Sequence, residues 1–178
     1  MVVITKTKWT VDKIHSLVQF KVKHLSISTV TGTFRLFQGE VLAQGDQFDK
    51  ANIQFRIDSN SIDTNHPERD GHLKSPEFLN TEKFPTINFD GILHQSNENY
   101  KLVGELIIRG VSKTVTLDAE LTGMGKGRFG DTRAGFEVTG KINRKDFGLT
   151  WSLLTEAGGL VVGEEVKLHF DIQLIKEA

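Results

Sequence analysis

The 178-residue sequence lacks cysteine and contains no long apolar run. The absence of cysteine excludes a disulfide framework, thiolate chemistry and cysteine metal sites. The apolar run at residues 2–4 is far too short for the core of a signal peptide, and no later run approaches membrane-spanning length. We therefore expect a cytoplasmic protein with no integral membrane association.

The sequence also lacks an excess of charge of either sign, since its formal net charge is −1. No global field therefore draws the protein to nucleic acid or to an anionic membrane. A hydrophobic content of 38% and a charged content of 25% are typical of a folded globular protein. The length fits one domain, residues 1–178, that can bury a substantial core.

Motifs for catalysis are absent as well. There is no Gly-x-Ser-x-Gly, no phosphate loop and no dinucleotide fingerprint. The glycine-rich stretch 123–131 joins two predicted strands, so it indicates a hairpin loop. His66, Asp70 and His72 share one segment, but their spacing matches no zinc signature. The sequence thus predicts neither an enzyme nor a metal site, and it indicates no cofactor.

The dominant pattern is an alternation of apolar and polar residues with a period of two, which predicts strands buried on one face. Its cleanest example is the last run, in which Val166, Leu168, Phe170, Ile172 and Leu174 are the apolar positions. Short turns separate the runs and favour antiparallel neighbours. About eight such strands must cover a common interior, and we predict an all-β antiparallel barrel because closure removes both sheet edges.

Two segments interrupt the alternation. Residues 65–89 begin with an N-cap pattern and Pro67, which predict a short helix that ends near Lys74, before Ser75-Pro76. Residues 143–163 form a second irregular stretch. We expect the first segment to act as a helical cap that helps close the mouth of the barrel.

The interior can be packed solid or hollow. Inward positions mix large residues such as Phe55 and Phe89 with small ones such as Gly104 and Gly140. Either the small residues offset the large ones in a filled core, or an apolar cavity lies between them. In the hollow case, we predict that a ligand contacts Val18, Phe20, Val22, Phe55, Ile57, Phe89, Leu106, Ile108, Phe136, Val138, Phe147 and Trp151.

Charged residues near the two irregular segments have two interpretations. Arg69-Asp70 and Arg144-x-Asp146 can form ion pairs that hold the cap and the late loop to the barrel. Alternatively, Arg69, His72 and Arg144 lie at the mouth, where an arginine can neutralise an anionic headgroup.

Short motifs along nearly the whole chain resemble the YceI-like polyisoprenoid-binding family. The matching stretches are Trp9-Thr10-Val11-Asp12 with His15-Ser16, Phe20-x-Val22-x-His24, Gly32-Thr33-Phe34, Arg69-Asp70-x-His72-Leu73, Phe84-Pro85-x-Ile87-x-Phe89, Gly104-x-Leu106, Gly110-Val111-Ser112-Lys113, Ile142-Asn143-Arg144-x-x-Phe147-Gly148 and Val162-Gly163-x-x-Val166.

This resemblance implies a lipocalin-like antiparallel barrel with a helical cap. It also implies non-catalytic binding, storage or transport of a long isoprenoid, such as a quinone or a polyprenyl phosphate, or of another long-chain lipid. Two other functions stay open: an enzyme that acts on an isoprenoid-type amphiphile at the barrel mouth, and an interaction module with a packed core. Leu17, Phe37 and Val103 are expected to face outward, which makes a homodimer possible.

Overall fold

The computed structural model describes residues 6–151 and 162–178, which form eleven strands and one α-helix. The helix is α1 (Pro67–Lys74), and short 3-10 turns occupy Ser59–Ser61 and Arg144–Phe147. The strands are β1 (Thr7–Val11), β2 (Leu17–His24), β3 (Ser28–Phe34), β4 (Phe37–Gln44), β5 (Gln47–Asp58), β6 (Ile62–Asp63), β7 (Thr86–Ser96), β8 (Asn99–Ile108), β9 (Val111–Lys126), β10 (Thr132–Asn143) and β11 (Val162–Lys176).

The sheet closes into an eight-stranded antiparallel barrel, which confirms the predicted fold class. The closed ring runs β1-β4-β5-β7-β8-β9-β10-β11, and β11 returns to β1. β2, β3 and β6 continue β1, β4 and β5 past short breaks, because β2 pairs with β11 and β3 while β3 also pairs with β6. Each long strand therefore lies beside the next one along the chain, an up-and-down arrangement that leaves no open edge around the ring.

The break between β3 and β4 explains why the alternation is irregular in residues 33–42. Two residues, Arg35 and Leu36, separate the strands there, and their backbone N–H groups bond to Ser61 instead of to a regular ladder. Arg35 donates to the Ser61 carbonyl at 3.1 Å, and Leu36 donates to the Ser61 hydroxyl oxygen at 3.0 Å. The wall thus bends at this point without leaving those two donors unpaired.

The two ends of the barrel are built differently. One end, which we call the cap end, carries the turns at 25–27 and 109–110, the segment 64–85 with α1, and the segment that follows β10. Of that last segment, residues 152–161 lie outside the described ranges. The other end, which we call the plugged end, carries the short turns at 45–46, 97–98 and 127–131. Both predicted irregular segments therefore meet at the cap end.

Aromatic packing fills the plugged end. Trp9 and Phe48 are almost completely buried, and their ring centroids lie 5.1 Å apart. Phe48 packs edge-on against Phe136 at 5.0 Å, and Tyr100 contacts Phe136 at 5.9 Å. The indole N–H of Trp9 donates to the Gly45 carbonyl at 3.1 Å, so the buried donor is satisfied. Large rings with a satisfied donor seal this end against solvent.

Helix α1 forms where the sequence predicts it. His66 caps the N-terminus because its Nδ1 accepts from the backbone N–H of Arg69 at 3.2 Å, and Pro67 follows in the first turn. Ser75 caps the C-terminus through its backbone N–H, which donates to the His72 carbonyl at 3.1 Å. None of the eight helix residues is fully buried, so α1 lies on the surface as a cap.

The expectation about outward-facing apolar residues is wrong for Phe37. Its exposed fraction is 8%, and its ring stacks on Phe55 at 5.8 Å inside the barrel. The break before β4 resets the alternation, which places Phe37 inward. Leu17 does face outward with an exposed fraction of 37%, and Val103 is half-buried. Homodimerisation stays a prediction.

Charged side chains join β1 to β10 across β11, where the barrel closes. Nη1 of Arg133 donates to Asp12 Oδ2 and to Gln173 Oε1, each at 2.6 Å. His15 Nδ1 lies 2.7 Å from the same carboxylate, and the Ile14 N–H donates to Oδ1 at 3.0 Å. Burial alone would raise the pKa of Asp12, but the bonds from His15, Arg133 and Ile14 outweigh it and lower this pKa to about 2.

This carboxylate predicts a specific acid sensitivity. A depressed folded-state pKa stabilises the fold at pH values above the unfolded value near 3.8, and this contribution is lost as pH falls through about 2. We expect Asp12→Asn to lower the free energy of unfolding at pH 7 by about 2 kcal/mol, from the size of the pKa shift. The difference from the native chain should shrink between pH 4 and 2, as measured by urea unfolding. A difference that stays constant down to pH 2 would contradict this role.

Candidate functional site

An apolar cavity lies inside the barrel, and all eight strands of the closed ring contribute to it. Its volume is about 90 Å³ for the centres of water-sized spheres, within an envelope of about 850 Å³ that includes space open to solvent. The lining residues are Val11, Glu40, Val41, Ile53, Gln54, Phe55, Ile57, Ile87, Asn88, Phe89, Leu93, Leu102, Leu106, Leu117, Ala119, Phe136, Val138, Leu168, Phe170, Ile172 and Leu174.

Several inward-facing residues keep surface that no part of the described structure, residues 6–151 and 162–178, covers. Ile53, Phe55, Leu168, Phe170 and Ile172 all line the cavity, and each is only half-buried. In a filled core such large apolar side chains would be almost completely buried. Of the two interpretations left open by the sequence, the described geometry favours the hollow one.

Glycines in the wall make the space possible. The Phe55 ring lies over its cross-strand partner Gly39, so close that a Cβ there would stand 2.5 Å from Cδ2 of the ring. The Phe89 ring covers the adjacent Gly91 and Gly104, where an added Cβ would lie 2.6 Å and 2.7 Å from its Cζ. These rings therefore lie flat along the wall instead of projecting into the centre. The glycines thus leave room for the phenylalanine rings to lie against the barrel wall.

Six of the twelve residues predicted to contact a ligand line this cavity: Phe55, Ile57, Phe89, Leu106, Phe136 and Val138. The other six, Val18, Phe20, Val22, Ile108, Phe147 and Trp151, do not. The prediction missed the contribution of β11, where Leu168, Phe170, Ile172 and Leu174 line the cavity. The strict alternation of that strand was the signal that could have found them.

The six residues outside the cavity belong to the cap half of the protein. The Phe20 ring packs on Phe34 at 5.6 Å and covers its cross-strand partner Gly32. Phe147 is buried in the 3-10 turn after β10, with an exposed fraction of 1%. Val18 is buried in β2, Val22 lies further along that strand, and Ile108 ends β8.

An aromatic cluster joins the two irregular segments at the cap end. The rings of His72 and Trp151 are 4.8 Å apart and perpendicular, and Phe78 contacts both, at 5.0 Å from His72 and 5.3 Å from Trp151. His72 also pairs through Nε2 with Glu77. Arg109 holds the cluster to the barrel, because its guanidinium donates to the Phe78 carbonyl at 2.9 Å. His72 thus lies at the cap end, as predicted.

Arg144 occupies a different environment from the one predicted. Its exposed fraction is 3%, and four guanidinium N–H groups donate to backbone carbonyls. Nη1 donates to Leu149 at 2.6 Å and to Trp151 at 2.8 Å, while Nε and Nη2 donate to Gly163 at 2.8 Å and Val162 at 3.2 Å. Burial lowers the pKa of Arg144, and the charge of Glu164 partly offsets this. These bonds leave no open face for a headgroup, so the expectation of a headgroup contact is corrected.

Arg69 and Asp70 both bond to Thr64 instead of to each other. The guanidinium donates to the Thr64 hydroxyl oxygen at 2.8 Å and to its carbonyl at 2.7 Å, while Asp70 accepts from the Thr64 N–H at 2.9 Å. Neither Arg69–Asp70 nor Arg144–Asp146 is an ion pair within the described ranges. The Arg69 residue remains exposed, so a headgroup contact there stays a prediction.

Two of the polar residues of the cavity lining, Glu40 and Asn88, have partners outside the lining. Glu40 pairs with Lys8 at 3.2 Å, and the side-chain amide oxygen Oδ1 of Asn88 accepts from Arg56 at 2.9 Å. His66, Asp70 and His72, the segment considered for metal binding, bond separately to Arg69, Thr64 and Glu77. Within residues 6–151 and 162–178, no helix has the length and apolar character needed to cross a membrane.

A closed antiparallel barrel with an internal apolar cavity and a helical cap places the protein among the lipocalin-like barrels. The model of the YceI-like domain matches residues 9–174, and the chain belongs to this family. Protein YceI of Salmonella newport is 44% identical over 166 residues, which cover 92% of this chain and 83% of that protein. The resemblance found in the sequence motifs is thereby confirmed.

Two solved structures share the fold. Burkholderia cenocepacia BcnA superposes with a TM-score of 0.77 over 92% of this chain and 98% of its own, at 20% identity. A Saccharophagus degradans domain, described as polyisoprenoid-binding and implicated in plant cell wall breakdown, gives a TM-score of 0.67 at 15% identity. That likeness covers 95% of this chain and 98% of the other. At such identities the two structures support the fold alone.

The wall glycines lead to a stability prediction. A Cβ at Gly104 would meet the Asp90 carbonyl oxygen and the Gly91 backbone, neither of which can move aside easily. We expect Gly104→Ala to lower the free energy of unfolding by about 1–3 kcal/mol, the usual cost of overpacking. Gly123→Ala is the matched control, because nothing lies within 4 Å of the added Cβ in β9. Equal urea-unfolding free energies for the two variants would contradict the close packing proposed at Gly104.

The carbonyls around Arg144 lead to a second stability prediction. Arg144→Met replaces the guanidinium by an apolar group on a side chain of similar length, so four backbone carbonyls lose their donor. We expect a loss of at least about 3 kcal/mol in the free energy of unfolding, since each buried unpaired acceptor costs about 1–3 kcal/mol. Arg128→Met, in the turn at the plugged end, should change stability by less than about 0.5 kcal/mol. Chemical denaturation of both variants tests this role, which a loss below 1 kcal/mol for Arg144→Met would refute.

Proposed function

We propose that this protein binds a long-chain amphiphilic lipid, of the isoprenoid type, inside the barrel and acts as a non-catalytic carrier or reservoir. The observation that carries this proposal is the apolar cavity to which all eight strands of the closed ring contribute. The description of the Saccharophagus degradans neighbour as polyisoprenoid-binding adds support.

Burial of the lipid tail would supply the affinity. Each isoprene-sized unit buries about 100 Å² of apolar surface, which contributes about 2–3 kcal/mol. Ordering the chain takes back part of this gain. Several units in line would still bind usefully without any charged contact, which suits a lining whose polar side chains Glu40 and Asn88 pair with residues outside the cavity.

The tail would enter from the cap end. The plugged end is filled by Trp9, Phe48 and Phe136, whereas the cap end is covered by α1 and by a half-buried Trp151. A polar headgroup would then stay near the exposed Arg69 and the partly exposed His72. These residues offer a guanidinium and an imidazole to an anionic or hydrogen-bonding headgroup.

We favour binding over catalysis because of the side chains that the described lining provides. Chemistry on a bound lipid would require an acid, base or nucleophile facing the ligand. The His72–Glu77 pair lies in the cap cluster with Phe78 and Trp151, and neither residue lines the cavity. The pair is better placed to hold the cap than to reach the tail.

A bulky substitution in the cavity tests the proposal. Leu168 faces inward and is half-buried, so Leu168→Trp should occupy part of the space and reduce lipid binding by at least about tenfold. Lys167→Trp introduces the same side chain at the next position, on the outer face of β11, and should bind as the native chain does. Binding is measured by native mass spectrometry after loading with a C40 polyprenyl phosphate.

The native protein supplies the reference. Organic extraction after purification without detergent should recover a long-chain amphiphile, and the emptied protein should rebind the C40 probe. Circular dichroism checks that both tryptophan variants are folded. Failure of the native chain to yield or rebind any such lipid, or equal binding by folded Leu168→Trp and Lys167→Trp, would refute the proposed cavity site.

A further inference from the structure

A row of three carboxylates crosses the outer wall of the barrel. Glu120 on β9 stands directly opposite Glu137 on β10, and Glu137 stands directly opposite Asp171 on β11. Like charges in directly opposite positions of a sheet destabilise it. Among the described residues, His169 is the partner that Glu137 and Asp171 share, and Glu120 has no ion pair. The row therefore carries more negative charge than its neighbours neutralise.

His169 presents one ring nitrogen to two of these carboxylates. Its Nε2 lies 3.3 Å from Glu137 Oε1 and 3.7 Å from Asp171 Oδ1. On the other side of the ring, Nδ1 lies 3.4 Å from Oε1 of Gln19 on β2. The imidazole nitrogen and the two carboxylate oxygens thus lie within 4.8 Å of one another, close enough to coordinate one cation together.

We propose that Glu137, His169 and Asp171 form a binding site for a divalent transition-metal ion on the outer face of β10 and β11, with Zn²⁺ as the best-suited ion. The sequence predicts no metal site, because Glu137 lies 32 positions before His169 and 34 before Asp171, and the pairing of β10 with β11 brings it beside them. The site faces solvent and is separate from the lipid cavity, so it does not depend on the proposed function.

The distances fit a zinc ion. Bonds of about 2.0–2.2 Å to nitrogen and oxygen in a tetrahedron place neighbouring ligand atoms about 3.3–3.5 Å apart. The two Nε2–oxygen distances are 3.3 and 3.7 Å, and the three ligand atoms all lie within 4.8 Å of one another. Small side-chain rotations suffice to bring the two carboxylates closer, and water completes the fourth position.

The surroundings favour the ligand set in two further ways. Gln19 lies against the outer nitrogen of the ring, where the partners of metal-bound histidines usually stand and orient the ring. Glu120 adds a third negative charge beside Glu137 without occupying a ligand position. On the side of His169 towards the cap end stand Lys21, Lys141 and Lys167, and Lys141 pairs with Glu165 at 3.9 Å.

The three ligand atoms also predict which metal ions the site prefers. One imidazole and two carboxylates suit Zn²⁺, Cu²⁺ and Ni²⁺, whereas Ca²⁺ and Mg²⁺ prefer oxygen ligands alone. We therefore expect Zn²⁺ to bind at a concentration at which Mg²⁺ gives no signal. Co²⁺ should replace Zn²⁺ and give visible absorption bands that report the coordination geometry directly.

Isothermal titration of the full-length chain with ZnCl₂ tests the site. We expect saturable binding of one ion per chain and at least about tenfold weaker binding for His169→Gln. His94→Gln is the matched control, since His94 is an exposed histidine on β7 outside the predicted ligand set. Zn²⁺ should raise the Tm of the native chain and of His94→Gln but not that of His169→Gln.

Each outcome decides for or against the site. Stoichiometric binding that depends on His169 and not on His94, with Co²⁺ absorption bands lost in Glu137→Gln, supports it. Absence of saturable Zn²⁺ binding overturns it. Equal weakening by His169→Gln and His94→Gln indicates nonspecific surface histidine binding and also overturns it. All these variants alter surface side chains, so they should fold, and circular dichroism verifies that they do.

Discussion

The hollow of this barrel depends on contacts between inward-facing phenylalanine rings and glycines in the wall. Phe20 covers Gly32, Phe55 covers Gly39, and Phe89 covers the adjacent Gly91 and Gly104. A side chain at any of these glycines would push its ring towards the barrel axis. Because the rings stay against the wall, the structure gains the apolar surface of large side chains without using the volume at its centre. The same ring–glycine contacts therefore contribute to the stability of the barrel and determine the volume of its cavity.

The cap is held by polar bonds, whereas the barrel is held by its ladder and its core. The Arg144 guanidinium donates to four backbone carbonyls, those of Leu149, Trp151, Val162 and Gly163. Near the start of α1, Thr64 accepts hydrogen bonds from Arg69 and donates to Asp70. Helix α1 itself has no fully buried residue. Elements that bury little apolar surface open at a lower free energy than core strands do. The cap end is thus the part of the described structure that can yield first to an entering lipid.

The sequence was sufficient to predict the strands, the closed barrel and α1, because alternation and capping are local signals. Half of the residues predicted to contact a ligand do line the cavity, among them Phe55 and Val138. They could be predicted because alternate residues of a strand point to the same face. The alternation shows which face a residue is on but not how far along the barrel it lies, and the prediction therefore included Val22 and Ile108. Nor could it foresee that the break before β4 turns Phe37 inward. The predicted headgroup contact of Arg144 was wrong for a different reason. The sequence shows a charged side chain but not the four backbone carbonyls that bind it in the fold.

The three breaks in the wall lie side by side. They separate β1 from β2, β3 from β4, and β5 from β6, which are neighbouring positions in the ring, while β7 to β11 run without such breaks. The strands on one side of the barrel are therefore interrupted, whereas those on the other side, β7 to β11, are continuous. We expect a container built in this way to open more readily along the flank with the breaks than along the unbroken strands β7 to β11.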